Sequence, residues 1–239
     1  MSTISGQPVS QAMAERLPVT LQLVAWSLGF ALILAIPLGT LAAVKRGGKE
    51  DQLASVTGLL GLSIPNFWLA TLLILVFSLV LGWLPSGGYR PLSDGLLPHL
   101  RHLLLPALAL GGAVAAVILR MTRSAMLEVL DQDYMLMAKA KGVPPFRRIV
   151  RHGLKNAFIP ILTVIGIQAG YLLGGSVVIE EVFALPGLGR LTLRAIQNRD
   201  YALVQGCILF IAVGFTLLNL AVDVAYAFLN PKLRSGGSS

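Results

Sequence analysis

Five apolar runs, each close to or above the roughly 20 residues that cross a bilayer core, constrain this chain more than any other feature. They fall at residues 19–44, 66–83, 103–119, 157–179 and 203–229. Runs of this length predict an all-α, polytopic transmembrane helical protein with about five spans. Composition agrees: of 239 residues, 55% are hydrophobic and 13% charged, and the mean hydropathy of +0.77 is too high for a soluble domain of this size. The second span is expected to extend back over 53–64, where Gly58, Gly61 and Ser63 permit close helix contact, with a kink at Pro65. The third is expected to be interrupted by Pro106, Gly111 and Gly112.

Charge placement orients these spans. Lys45, Arg46, Lys49, Arg120, Arg123, the basic stretch after residue 133, Lys232 and Arg234 fall on one side; Arg16, Arg90, Arg101, Arg190, Arg194 and Arg199 fall on the other. The richer side is cytoplasmic by the positive-inside rule. Residues 1–18 form an extracytoplasmic amino-terminal segment without signal-peptide order, residues 19–234 the transmembrane domain, and 235–239 a tail of linker composition. Five spans then place the amino terminus outside and the carboxyl terminus in the cytoplasm, which predicts a signal anchor upstream. The net charge of +8 is accounted for by this topology, so no nucleic-acid partner is implied. Cys207 is the single cysteine, which excludes an intrachain disulfide.

Signatures of catalysis are missing from the sequence. The one Gly-Lys pair, Gly48-Lys49, is followed by Glu50 rather than Ser or Thr, so no phosphate-binding loop is present. His99, His102 and His152 lack companion ligands for a metal site, and no GxSxG elbow occurs. The chain is therefore expected to be no enzyme and to bind no metal or cofactor itself. Within the spans, Gly166, Gly170 and Gly174 recur four apart as a packing face. Asn219, Asp223 and Tyr226 share a face of the last helix, where Asn219 and Asp223 form a candidate intramembrane polar site or a local structural pair near the span end.

The cytoplasmic loop at about 124–156 carries the strongest local signal. Lys139, Lys141, Arg147, Arg148, Arg151 and Lys155 lie between two membrane-grade runs and cannot sit in hydrocarbon. Tyr134 to Lys141 is rich in helix formers, Gly142-Val143-Pro144-Pro145 breaks the helix, and a mixed apolar and basic pattern resumes at Phe146. Tyr134, Met137, Ala138 and Lys141 fall at i, i+3, i+4 and i+7 on one face. Such a stripe suits a groove on a soluble partner or the surface of an anionic bilayer equally.

The order of DYMLMAKAKG, RHGLKNAFIPILTVIG, GGSVVIEEVFALPGLGRL, RDYALVQG and NLAVDVAYAFLNPKLR, preceded by LPVTLQLVAWSLGFALILAIPLGTLAAVKRG, LLGLSIPNFWLA and HLLLPALAL, resembles the first permease subunit of ATP-binding-cassette (ABC) importers for dipeptides, oligopeptides and nickel. The likeness covers residues 6–234. It implies a type I importer permease fold of the MetI-like kind, here lacking the family's first helix. It implies a pathway subunit for short peptides, nickel or related solutes. The expected partners are a second permease subunit, two cytoplasmic ATPase subunits, an extracytoplasmic solute-binding protein and the bilayer, with ATP and magnesium bound by the ATPases.

In this family an EAA-type loop docks a short coupling helix on an ATPase. Its triplet falls on Leu136, Met137 and Ala138, and its glycine on Gly142; the leading Glu and first Ala are absent here. The resemblance assigns docking to Tyr134, Met137, Ala138, Lys141, Gly142 and Arg147. It assigns an extracytoplasmic gate or binding-protein contact to Glu180, Glu181, Pro186, Gly187 and Gly189. The competing classes are an ion-coupled secondary transporter, in which Asp223 would carry the coupling, and a membrane assembly subunit that transports nothing.

Overall fold

A computed structural model describes residues 6–229 and shows, among them, helices and connecting turns without strands. The helices are α1 Val9–Val44, α2 Lys49–Ser63, α3 Asn66–Val80, α4 Leu96–Leu130, α5 Asp133–Ala140, α6 Pro145–Val182, α7 Leu188–Gln197 and α8 Tyr201–Leu229. Helices α1, α4, α6 and α8 are each long and apolar enough to cross a membrane, and the α2–α3 pair supplies a fifth candidate. At about 1.5 Å per residue, α1 and α6 run some 54–57 Å, well beyond the hydrocarbon thickness.

Three expectations about the spans change. The first helix begins at Val9, ahead of the apolar run, so the stretch around Glu15 and Arg16 is helical. Pro65 turns a corner of 103° between α2 and α3 instead of kinking one rod. Its ψ of 137° is extended, and a residue ahead of proline is pushed out of the helical region. Helix α4 runs unbroken through Pro106, Gly111 and Gly112, and the two glycines serve contact rather than termination. A Cβ on Gly111 would stand 2.6 Å from the Ser27 carbonyl oxygen, so glycine lets α1 and α4 touch backbone to backbone.

By internal contact the chain divides into two units. The first holds the described residues up to Phe30, with Ile64–Ala113 and Ala169–Leu217; the second holds Ala31–Ser63, Val114–Gln168 and the described residues from Leu218. Leu23, Leu103, Leu110, Leu172, Ile179 and Phe183 are fully enclosed in the first unit, and Ile118, Met126 and Ile161 in the second. Many large apolar side chains remain exposed, Ile33 and Val80 at 73% and 72% among them. That is the pattern of surfaces facing lipid or other membrane helices.

Candidate functional site

The basic loop folds in the second unit as a short helix clipped between two long ones. Gln132 is extended (φ −78°, ψ 148°) and releases the chain from α4 into α5. The far end of α5 closes on Gly142, whose φ of +74° is a left-handed conformation that glycine adopts at little cost. The Gly142 N–H donates to Lys139 O at 3.0 Å and the Val143 N–H to Ala138 O at 3.1 Å, the paired bonds of a Schellman end. Pro145 then opens α6, where its missing N–H costs nothing.

Two contacts hold α5 in place. Met135 is buried, and its Cε, like that of Met126, lies near Gly153, so the first buried residue of α5 packs into the junction of α4 and α6. The Asn156 side-chain amide donates to the Tyr134 hydroxyl at 3.0 Å and to His152 O at 2.8 Å. With Met135 turned inward, Leu136 and Met137 are each 61% exposed and Phe146 is 79% exposed. Lys139, Lys141 and Arg147 stand exposed around them.

The six residues named for docking therefore lie in one compact stretch. Tyr134, Met137 and Ala138 are on α5, Lys141 and Gly142 form its closing turn, and Arg147 is in the first turn of α6. The docking set read from the sequence left out Leu136 and Phe146, and the Asn156 clip was missed. The run Met135-Leu136-Met137 carried a signal, since three consecutive helical residues cannot all face inward.

Beside this stretch, the turn between α1 and α2 is tied to α4. Arg123 donates to both carboxylate oxygens of Asp51, through Nε to Oδ1 and through Nη2 to Oδ2 at 2.9 Å. The Gly47 N–H adds a bond to Oδ2 at 2.9 Å. Asp51 is buried and precedes the apolar part of α2. Arg123, helped by the Gly47 N–H, holds its carboxyl down to about 2 from 3.8. Arg46 faces Asp131 at 3.5 Å, and Lys45 pairs with Glu50.

In the first unit, the sequence-predicted outer residues also come together. Glu180, near the end of α6, is fully buried. Its Oε1 accepts from the Thr20 hydroxyl at 2.7 Å and its Oε2 from the Arg190 N–H at 2.9 Å, while Thr20 Oγ1 accepts from the Leu188 N–H at 2.8 Å. The carboxyl and the hydroxyl thus cap the start of α7. A Cβ on Gly187 would lie 2.3 Å from the Glu180 carboxyl carbon, and one on Gly189 2.6 Å from Val177 Cα, so both glycines are required by close approach. Glu181 is exposed and pairs with Arg190 at 3.1 Å, and Pro186 is half-buried beside Gly187. Glu180 braces the turn from within, and the outward carboxylate of the set is Glu181.

The remaining candidates scatter. Gly166 meets Val222 and Gly170 meets Phe215, whereas a Cβ on Gly174 would find open space. Asn219 is half-buried on α8; the side chains of Asp223 and Tyr226 lie outside the described residues. His99 is buried, with Nδ1 2.7 Å from Arg90 O. Among the described residues, no three His, Cys, Asp or Glu side chains gather as a metal site.

Comparison with known proteins connects this geometry to a family. The profile described as "binding-protein-dependent transport system inner membrane component" matches residues 35–235. A peptide transport system permease protein of Brucella abortus (strain 2308) is 46% identical over 233 residues, covering 98% of this chain and 74% of the relative. The glutathione transport system permease protein of Escherichia coli (strain K12) is 45% identical over 234 residues, with the same two coverages. Among solved structures, an inward-facing MetNI methionine ABC transporter matches with a TM-score of 0.79 at 20% identity, covering 94% of this chain and 99% of that one. This last likeness establishes the fold.

Proposed function

Since the chain belongs to the family of binding-protein-dependent transport system inner membrane components and is a permease subunit of an ABC importer, we propose that it carries short peptides, glutathione-like tripeptides included, and takes its driving motion through α5. Its role is that of a membrane transport subunit working with other permease and ATPase subunits. In our reading the partners are a second, non-identical permease, two cytoplasmic ATPases that bind ATP and magnesium, and an extracytoplasmic binding protein. The amino terminus lies outside and the carboxyl terminus in the cytoplasm, as the Lys and Arg asymmetry supports. The ion-coupled and assembly-only alternatives lose their support with the family assignment.

The observation that carries the coupling role is the exposed apolar surface of Leu136, Met137 and Phe146, ringed by cations and pinned from behind by Met135. A rigid, apolar, positively bordered projection fits a groove on a soluble subunit, and closure of the ATPase pair would then displace it as a body. Peptide cargo rests on the two relatives above, each matched over nearly the whole of this chain. The test is reconstitution of the complex in proteoliposomes. Met137→Glu and Phe146→Glu are expected to insert normally but to lose co-purifying ATPase subunits and peptide-stimulated ATP hydrolysis by about tenfold or more, the scale of a lost interface anchor. Full recovery of the ATPases with both variants would refute the docking assignment.

A further inference from the structure

Movement of α5 must reach more of the chain than the two helices flanking it, and the second unit contains the connection. The seam between α1 and α4 here is made by close approach rather than by hydrogen bonds. A Cβ on Gly39 would stand 2.7 Å from Leu119 O and 2.8 Å from Thr122 Cβ, and the buried hydroxyls of Thr40 and Thr122 have no partner among the described residues. Contacts of this kind are close but carry no directional bond. The α1–α2 turn, by contrast, is joined to α4 by directional bonds.

We propose that the Asp51–Arg123 ion pair, backed by Arg46–Asp131, is a coupling clasp that makes the α1–α2 turn and the start of α2 follow the coupling helix. Arg123 sits seven residues before the end of α4, about 10 Å along its axis, and Asp131 is in the two-residue link between α4 and α5. The turn is thus held to the stem that carries α5 by the Asp51–Arg123 pair, with the exposed Arg46–Asp131 contact beside it. The two-pronged Arg–carboxylate geometry fixes orientation as well as distance. Because Asp51 is buried, separating the pair leaves a desolvated charge, so the clasp resists opening during a stroke. Asp51 and Arg123 act as positioning residues; neither is placed against solute or nucleotide.

This inference rests on the importer reading, and the experiment separates the two. The full complex is reconstituted with its binding protein, and uptake of a mixture of labelled di- and tripeptides is divided by ATP hydrolysed. Spin labels on Lys49→Cys and Asp133→Cys report the separation of the α2 start from α5, with and without ATP plus vanadate; the native Cys207 is buried. In the otherwise wild-type protein the label distance is expected to be the same in both states. With Asp51→Asn it should differ between states, and peptide moved per ATP should fall about fivefold or more, the low end of typical coupling factors.

The charge swap Asp51→Arg with Arg123→Asp is expected to restore the fixed distance and much of the yield. An Asp51→Asn complex that keeps both the distance and the yield would overturn the clasp. So would a swap that assembles fully yet restores neither, since that result marks a merely structural pair. A wild-type complex showing no ATP-dependent uptake overturns the importer reading and the clasp together.

Discussion

Glu180 in the first unit and Asp51 in the second are both nearly closed to solvent, at 0% and 6% exposure, but they are held by opposite means. Glu180 accepts bonds from a threonine hydroxyl and a backbone N–H, and among the described residues it forms no ion pair. Asp51 takes two bonds from one guanidinium on another helix, with the Gly47 N–H as a third donor. The first arrangement is locked, because its donors are fixed to the backbone or to a short side chain and two glycines are shaped around it. The second is a charge pair between two helices, made by one long guanidinium side chain, and its charges can be exchanged. The difference assigns architecture to the Glu180 turn and, in the coupling proposed above, transmission to the Asp51–Arg123 pair.

The largest effect should come from crowding the locked knot. Gly187→Ala forces a methyl group into the space of the Glu180 carboxyl, 2.3 Å away. Overpacking together with loss of the capping bonds is expected to cost about 3–5 kcal/mol. It should appear as a sharp drop in monodisperse complex after heating in detergent. Thr20→Val keeps the shape but strips both the donor to Glu180 and the acceptor for Leu188, at about 2 kcal/mol. If Gly187→Ala proves harmless, the carboxyl is not held as described and the contrast between the knots collapses.

The charge pair should reveal itself through pH. A carboxyl whose folded pKa is depressed contributes stability above its unfolded value, here 3.8, and that contribution is lost as pH falls through about 2. Asp51 is therefore expected to be fully ionised throughout the physiological range. The melting difference between wild type and Asp51→Asn should stay constant between about pH 5 and 8 and shrink only below about pH 4. A difference that changes within the neutral range would mean that Asp51 is not clasped by Arg123.

Much of this arrangement was written in local pattern. The apolar runs gave the spans, and Gly142-Val143-Pro144-Pro145 gave the break, because a left-handed closing residue and a proline at the next helix start act over a few residues. The corner at Pro65 was only half legible: the sequence marks a bend, while its 103° angle depends on packing. On helix α4 the Ser27 backbone packs on Gly111 and the Leu69 side chain on Gly112, neighbours that no window on the sequence contains. The two knots were hidden for a plainer reason. Thr20 and Glu180 are 160 positions apart, and Asp51 and Arg123 are 72 apart, so charge and polarity alone could not say which groups meet.

The finest discrimination between the regions uses one substitution in two places. Thr20 and Thr122 are both buried threonines on membrane helices, but Thr20 Oγ1 bridges Glu180 and the Leu188 N–H, whereas Thr122 Oγ1 has no partner among the described residues. An enclosed hydroxyl without a partner gives up its hydration for nothing, so replacing it with a methyl group removes a penalty rather than a bond. Thr122→Val is thus expected to leave thermal stability unchanged or raise it by up to about 1 kcal/mol, opposite in sign to Thr20→Val. Side-by-side melts of the two complexes measure this directly. A clear loss with Thr122→Val would show that its hydroxyl finds a partner in the assembled importer, and the α1–α4 seam would then be a bonded contact instead of one made by close approach alone.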